Sequence, residues 1–303
     1  MPQPSRRQFL IRAASAGTAL GMFGLSRRLS ANPSGKPVGI QLWMVNDTFR
    51  RDPAGTLHQL AKIGFKEVEV VNFAGMQPNQ FRRLIDDAGL RCPSAHLHVD
   101  MDNFGKAFDE AHALGATYVV AGSLVEQVSK AMATQLDGNA SMSREEAKRT
   151  VDVANRIGEG ARRAGLQFAL HNHVREFGDL GNGEVSYDIV WRETDPALVH
   201  FELDCGWMVF AGRNPVDYFK KYPGRIPLIH IKDFQPRKNR SNAPMSEAIG
   251  AELGRGMVDY RPIFAAAKAA GTKHYFAEQE GPFSRMSQLE AAQVAYDYLH
   301  SMN

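Results

Sequence analysis

The chain is poor in cysteine. Only Cys92 and Cys205 occur among 303 residues, far apart, which excludes a disulfide framework and zinc-finger spacing. Long apolar runs are missing too. The one N-terminal candidate, Ile11 to Leu25, is rich in Ala and Gly and too short and mild to insert stably in a membrane. No Gly-rich dinucleotide fingerprint follows the first strand-like run. Charge of one sign is also scarce. The formal net charge is +3, and much of it comes from Arg6, Arg7, Arg27 and Arg28. The remainder is close to neutral, which argues against a nucleic-acid surface. What is present, 44% apolar and 23% charged residues, is ordinary for a soluble globular protein with one large core.

Ser5-Arg6-Arg7-Gln8-Phe9-Leu10 resembles the twin-arginine export motif, and Leu29-Ser30-Ala31 offers a small-residue cleavage site. Residues 1–35 are therefore expected to be a signal peptide and linker, and 36–303 the fold. The expected partner is the twin-arginine export machinery and the expected location periplasmic or secreted. Substrates of that route cross the membrane folded, so a metal could be loaded beforehand.

From Val38 onward, apolar strand-like runs alternate with helical stretches. Strands are expected at Val38 to Trp43, Glu67 to Val71, Cys92 to Val99, Tyr118 to Ala121, Gln167 to Leu170, Val199 to Leu203, Pro227 to Ile231 and His274 to Ala277. Helices are expected between them, including Pro53 to Ile63 with Asp52 as cap and Gly64 as stop. Another opens at Ser143-Arg144-Glu145-Glu146, which has capping-box spacing. Eight strand–helix units in about 265 residues predict an α/β fold, a single-domain (β/α)8 TIM barrel. Four helix–Gly–apolar joints, at Gly64, Gly89, Gly165 and Gly271, fit its repeated turns. Two segments read as long loops, Leu124 to Met142 and Phe234 to Asp259. The second carries Arg237, Lys238 and Arg240, which suit a solvated loop or an anionic or sugar ligand.

Polar residues recur where four of these runs end: His171-Asn172-His173-Val174-Arg175-Glu176, Glu202-Leu203-Asp204, His230-Ile231-Lys232-Asp233 and Glu278-Gln279-Glu280. In a parallel sheet all four ends lie on one side, so carboxylates and imidazoles would converge as a divalent metal site requires.

With Glu252-Leu253-Gly254-Arg255-Gly256 and Val258-Asp259, these segments resemble the sugar phosphate isomerase/epimerase family, the xylose isomerase-like TIM barrels, from Val38 to the C-terminus. The resemblance implies one divalent ion on a carboxylate from strand five and on Asp204, His230 and Glu278. Carried over, the first is Glu176, with His171 or His173 as alternatives because they stand where the family places a Glu. Such donors suit Mn²⁺ first, and also Co²⁺, Mg²⁺ or Zn²⁺.

A metal that binds a carbonyl and its neighbouring hydroxyl eases removal of the proton between them by stabilising the enediolate. Glu176 and Glu278 are candidates for acid–base work on opposite faces, and His173 for an alternative base. Lys232 is expected to hold a substrate oxygen or to pair with Asp233. Trp43, Glu69, His98, His171 and Trp207 are expected substrate contacts, with His98 preferred to His96. Family epimerases commonly carry a His where Trp207 stands, which disfavours a standard ketose epimerase.

The expectation is thus a metal-dependent sugar isomerase or epimerase working through an enediolate. The alternative is an exported 3-keto-glycoside lyase or inosose dehydratase-like eliminase using the same site. The expected partner is a small carbohydrate, with no nucleic acid and no stable membrane insertion; a homo-oligomer is compatible with this reading. A DNA-repair endonuclease of the superfamily would need more His and Asp ligands than stand in place here. A sugar-binding protein without catalysis is disfavoured by the set Asp204, His230 and Glu278.

Overall fold

The structure, a computed structural model, describes residues 35–122, 124–131, 141–236, 245–283 and 285–302. The twin-arginine segment and Arg237, Lys238 and Arg240 lie outside the described residues. Among those described, no helix is long and apolar enough to cross a membrane.

Eight parallel strands close into a barrel: β1 (Val38–Gln41), β2 (Glu67–Val70), β3 (Arg91–His96), β4 (Tyr118–Ala121), β5 (Gln167–His171), β6 (Val199–Asp204), β7 (Leu228–Ile231) and β8 (His274–Ala277). Neighbours in sequence are neighbours in space, and β8 returns to β1 with Val38 opposite Tyr275 and Ile40 opposite Ala277. These runs are strands because both faces of a parallel barrel strand are covered, outside by helices and inside by the barrel's own side chains. Every residue of β1, β2, β4 and β7 is accordingly buried.

The helices follow from their ends and their spacing. Pro53–Ile63 starts where the Asp52 carboxylate accepts from the Gly55 N–H, and it stops at Gly64, whose φ of 129° a side chain would resist. Arg144–Arg163 opens on a reciprocal box, with Glu146 N–H donating to Ser143 Oγ and Ser143 N–H donating to Glu146 Oε2. Its Ala147, Val151, Ala154, Ile157 and Ala161 recur at three and four residues and are buried.

Three local expectations need correction. Residues 124–142 are not all loop: Leu124–Ala131 is a helix that buries Leu124, Val125 and Val128. The first strand ends at Gln41, and Leu42–Val45 turns as a 3-10 helix, so Trp43 stands out from the barrel at 45% exposure. In the segment after β7, Asp233–Phe234 pairs antiparallel with Gly250–Ala251.

A small apolar cluster of Tyr118, Val120, Ala169, Leu228 and Phe276 is separate from the main core. Beside the strand starts, Glu67 is held by His274 and Arg91. Toward the strand ends, apolar residues give way to carboxylates and imidazoles.

Candidate metal centre

Side chains two residues apart on a strand face the same way. That parity brings two tiers of polar groups together at the strand ends. The lower tier comprises Glu69, His96, His171, Glu202 and His230. His230 Nε2 lies 2.8 Å from Glu69 Oε1 and 3.2 Å from Glu202 Oε2, and His171 Nδ1 lies 3.0 Å from Glu202 Oε2. Ser94 Oγ donates to Glu69 Oε2 at 2.6 Å. In the upper tier, His230 Nδ1 lies 2.9 Å from Glu278 Oε2 and 3.7 Å from Asp204 Oδ2. The Lys232 ammonium stands 3.0 Å from Asp204 Oδ2, 2.8 Å from Glu278 Oε2 and 3.0 Å from Glu280 Oε1.

The backbone around this cluster is fixed by polar clamps. Asn172 spans from the end of β5 to β6: its Oδ1 accepts from the Asp204 N–H at 3.0 Å and its Nδ2 donates to the Asp204 carbonyl at 3.2 Å. Asp204 also caps the short helix Cys205–Phe210, accepting from the Trp207 N–H at 2.8 Å. Gly206 permits the close approach of β7, since a Cβ there would lie 2.7 Å from the Lys232 carbonyl oxygen. Asp233 accepts backbone N–H groups from Gly254, Gly256 and Val258. It is therefore occupied in holding the following loop, and Lys232 pairs with Asp204, Glu278 and Glu280 instead.

The electrostatics follow from burial and sign. Burial raises the Glu202 carboxyl, and the neighbouring Glu69 carboxylate drives it further up. Burial opposes ionisation of Glu69 as well, but His230 and the hydrogen bonds around it outweigh that and hold it low. Burial would lower His230, yet Glu202, Glu69 and Glu278 keep it well above the usual imidazole range. Lys232 loses by burial and gains more from Asp204, Glu278 and Glu280, so its ammonium is held firmly. Burial also opposes the Glu278 carboxylate, but Lys232 and His230 hold its pKa low. His171 is pushed well down, by burial first and then by nearby positive groups. His173 is pushed down to about 4 by burial and by Lys232, so it is neutral near pH 7.

Does this cluster suit a metal? Glu202 Oε1, Asp204 Oδ2, Glu278 Oε2, His230 Nδ1 and His96 Nδ1 are buried and lack hydrogen-bond partners of proper geometry. Several lie at ion-pair distance from Lys232 or His230, but contact without hydrogen-bond alignment leaves their lone pairs largely uncompensated. Two groups have ligand atoms within 4.8 Å of one another: His96, His171, Glu202 and His230, and Asp204, His230 and Glu278. Carboxylate oxygens and imidazole nitrogens in that number fit a divalent ion.

A cavity of about 380 Å³ opens over the cluster, with His96, His171, His173, His230, Glu278 and Glu280 among its walls and Trp43 and exposed His98 at its rim. Of the sequence candidates, Asp204, His230, Glu278, Lys232 and His171 are brought together. Glu69 is wholly buried beside His230 and does not line the cavity. Trp207 is 1% exposed and packs on Phe234 and Phe210, with its ring 5.3 Å from the Lys232 ammonium. Glu176 belongs to neither ligand group. Its carboxylate accepts the His173 N–H at 2.9 Å, and burial pushes its pKa up to about 7. Glu202 and His96 were missed as donors. Parity alone could have found Glu202, two residues before Asp204 on the same strand face.

A model of the Xylose isomerase-like TIM barrel family matches residues 57–293. An inosose dehydratase of Lacticaseibacillus casei is 25% identical over 265 residues, covering 80% of this chain and 87% of its own. A sugar phosphate isomerase/epimerase from Parabacteroides distasonis superposes with a TM-score of 0.71 at 27% identity, covering 88% of this chain and 94% of its own. The IolI protein, solved with a zinc atom, shares the fold at a TM-score of 0.63 and 17% identity, over 86% of this chain and 96% of its own.

Proposed function

The chain belongs to the Xylose isomerase-like TIM barrel family, and from that premise we propose that it is a divalent-metal-dependent lyase of keto-sugars or cyclic keto-polyols. The reaction is removal of a proton next to a carbonyl followed by expulsion of the substituent on the β carbon. The similarity to inosose dehydratases supports elimination.

The observation that carries the reading is which acid–base groups reach the cavity. Epimerisation needs a second group to return the proton to the other face. Glu176, expected to partner Glu278 in that task, does not line the cavity. Elimination can be completed by one group, which takes the α proton and gives it to the departing oxygen, and the similarity to inosose dehydratases favours it over isomerisation. His173 lines the cavity and is neutral at physiological pH because burial and Lys232 depress its pKa, so it serves as the base. Lys232, 1% exposed and not itself a wall of the cavity, pairs with Asp204, Glu278 and Glu280 and so positions those carboxylates. Glu280, a half-buried wall of the cavity, pairs with Lys232. The α C–H bond breaks as His173 takes the proton, its electron pair forms the C=C bond, the β C–O bond breaks, and the departing oxygen takes that proton from His173.

Asp204, His230 and Glu278 would hold the ion, with Glu202, His171 and His96 as neighbouring donors. Bound there, Mn²⁺ or a similar ion supplies Lewis-acid stabilisation of negative charge on a substrate oxygen. Trp43 offers an apolar face to the sugar ring, and His98 a polar contact at the rim. The proposal includes export by the twin-arginine route, supported by Arg6-Arg7 and the residues that follow.

A second reading, isomerase or epimerase on the same site, draws on the 27% identity to the Parabacteroides distasonis protein. Mature protein and Asp204→Ala, each loaded with Mn²⁺, are compared on 3-keto-glycosides, inososes and free ketoses in deuterated water. Loss of water or aglycone by the wild type alone, with an ultraviolet-absorbing enone, supports the lyase. Deuterium uptake without bond cleavage supports the isomerase or epimerase and overturns the lyase.

A further inference from the structure

Trp43 is a wall shared by two cavities. One face of its surroundings is the pocket over the metal cluster. The other is a separate cavity of about 500 Å³ between the 3-10 turn after β1 and the segment after β8, with Asp47, Arg51, Gln279, Phe283 and Gln288 among its walls. Trp43 is one of the few large apolar side chains left exposed among the described residues. An exposed indole on the border of two cavities offers an apolar face on which a ring can stack.

Gln279 adds an independent sign. It directly follows Glu278, lines the second cavity and is only 5% exposed. Its amide can both donate to and accept from a group in that cavity. The other polar walls are already engaged. Gln288 Oε1 accepts from the Thr48 N–H and hydroxyl, and the Arg51 guanidinium donates to the Asp47 carbonyl. Arg51 is the sole cation and Asp47 the sole carboxylate lining this cavity among the described residues. Their charges offset each other, which suits a neutral group and not a phosphate.

We propose that the second cavity is a leaving-group subsite, so that the substrate is a neutral two-part glycoside with its keto-sugar over the metal cluster and its aglycone beyond Trp43. This inference rests on the lyase reading for its chemistry but not for its binding. In that chemistry the β C–O bond that breaks is the one to the aglycone, which departs as its alcohol after taking a proton. Each cavity is large enough for one part of such a molecule: pockets of about 300–1,000 Å³ hold drug-sized ligands, and these measure about 380 and 500 Å³.

The test uses the Mn²⁺-loaded mature protein and calorimetric binding of three unoxidised probes: methyl, phenyl and glucosyl β-glucosides. The phenyl or glucosyl compound is expected to bind at least about tenfold more tightly than the methyl compound. That ratio should collapse to within about twofold in both Trp43→Ala and Gln279→Ala. If Gln279→Ala does not fold, Phe283→Ala and Arg51→Ala report on the same cavity. Equal affinity for all three probes in the wild type, or a ratio that survives in the variants, overturns the proposal. A tenfold gain for glucose 1-phosphate over methyl glucoside also overturns it, by making the cavity an anion site. Turnover of 3-keto methyl glucoside in the same preparation separates the two readings. Turnover without a binding ratio removes the subsite alone, and a binding ratio without any elimination removes the lyase alone.

Discussion

The two ends of the barrel are built from the same residue types and behave differently. Strand β2 contributes a glutamate to each, two residues apart. At the strand starts, Glu67 receives His274 Nδ1 at 2.8 Å and Arg91 Nη2 at 3.0 Å, so both its oxygens are satisfied. Further along, Glu69 sits in a cluster where five other acidic or imidazole side chains keep buried atoms without hydrogen bonds: Glu202, Asp204, Glu278, His96 and His230. Both ends bury a carboxylate against a histidine. At the strand ends several of these groups keep buried atoms without hydrogen bonds, and a cavity opens over them. A functional centre is thus marked less by which residues are present than by polar groups that the chain alone does not satisfy.

The difference is broken most severely at the strand ends. Asp204→Ala should lower bound metal and reduce turnover by more than about a hundredfold, since even groups that only orient a ligand are worth about 10–100-fold. Metal analysis by mass spectrometry and steady-state kinetics check this, and full activity with full metal content would rule the centre out. Chelation of the wild type should lower its Tm, because an ion that binds only the folded state stabilises it.

Glu176 sharpens the comparison as a buried carboxylate outside the ligand groups. Its pKa is raised from 4.5 to about 7, so the folded state holds the proton more tightly than the unfolded one. Its favourable contribution is complete below about pH 4.5 and is lost as pH rises through about 7. At about 1.36 kcal/mol per pH unit, that displacement of roughly 2.5 amounts to about 3 kcal/mol. Glu176→Gln, which can still accept the His173 N–H, should match the wild type near pH 5 and melt higher at pH 8.5. An advantage confined to pH 5 would contradict it.

The opposite end should respond in stability and not in rate. His274→Ala removes one of two partners from a carboxylate that is 3% exposed and should cost about 1–3 kcal/mol by denaturant melts, with kcat/KM unchanged. Arg91→Ala should cost about 1 kcal/mol or less, because the Arg91 side chain is 65% exposed and solvent screens such pairs. A large loss of turnover in either would erase the distinction between the ends.

Much of the fold was legible because a barrel repeats one unit. The helix Pro53–Ile63 and the strands Tyr118–Ala121 and His274–Ala277 fall where their apolar spacing and flanking glycines place them. The short helices Asn46–Arg51, Leu124–Ala131 and Cys205–Phe210 were not read. A run of six to eight residues leaves too few turns for periodicity to stand out. The carboxylates and histidines at the ends of β6, β7 and β8 were visible because each closes an apolar run. Glu202 and His96 were noticed but not as metal donors: Glu202 lies two residues before Asp204 in β6, and the third strand was expected to run on to Val99, which favoured His98 over His96, the last residue of β3. Only closure of the barrel turns these strand positions into a shared interior. The position of Glu176 depends on the short 3-10 turn Arg175–Phe177, a local geometry that no pattern of residue types specifies.

The Asn172 amide gives Asp204 both a donor and an acceptor, as a peptide unit of β5 would if the ladder ran one step further. A side chain thereby does the work of backbone, and the main chain after His171 is released from the sheet. Aspartate could not donate there, and glutamine would be a methylene too long. The residues beyond that point can drift in length and composition across descendants without dragging the Asp204 carboxylate with them. Cavity walls can then diverge while the Asp204 carboxylate is inherited in place.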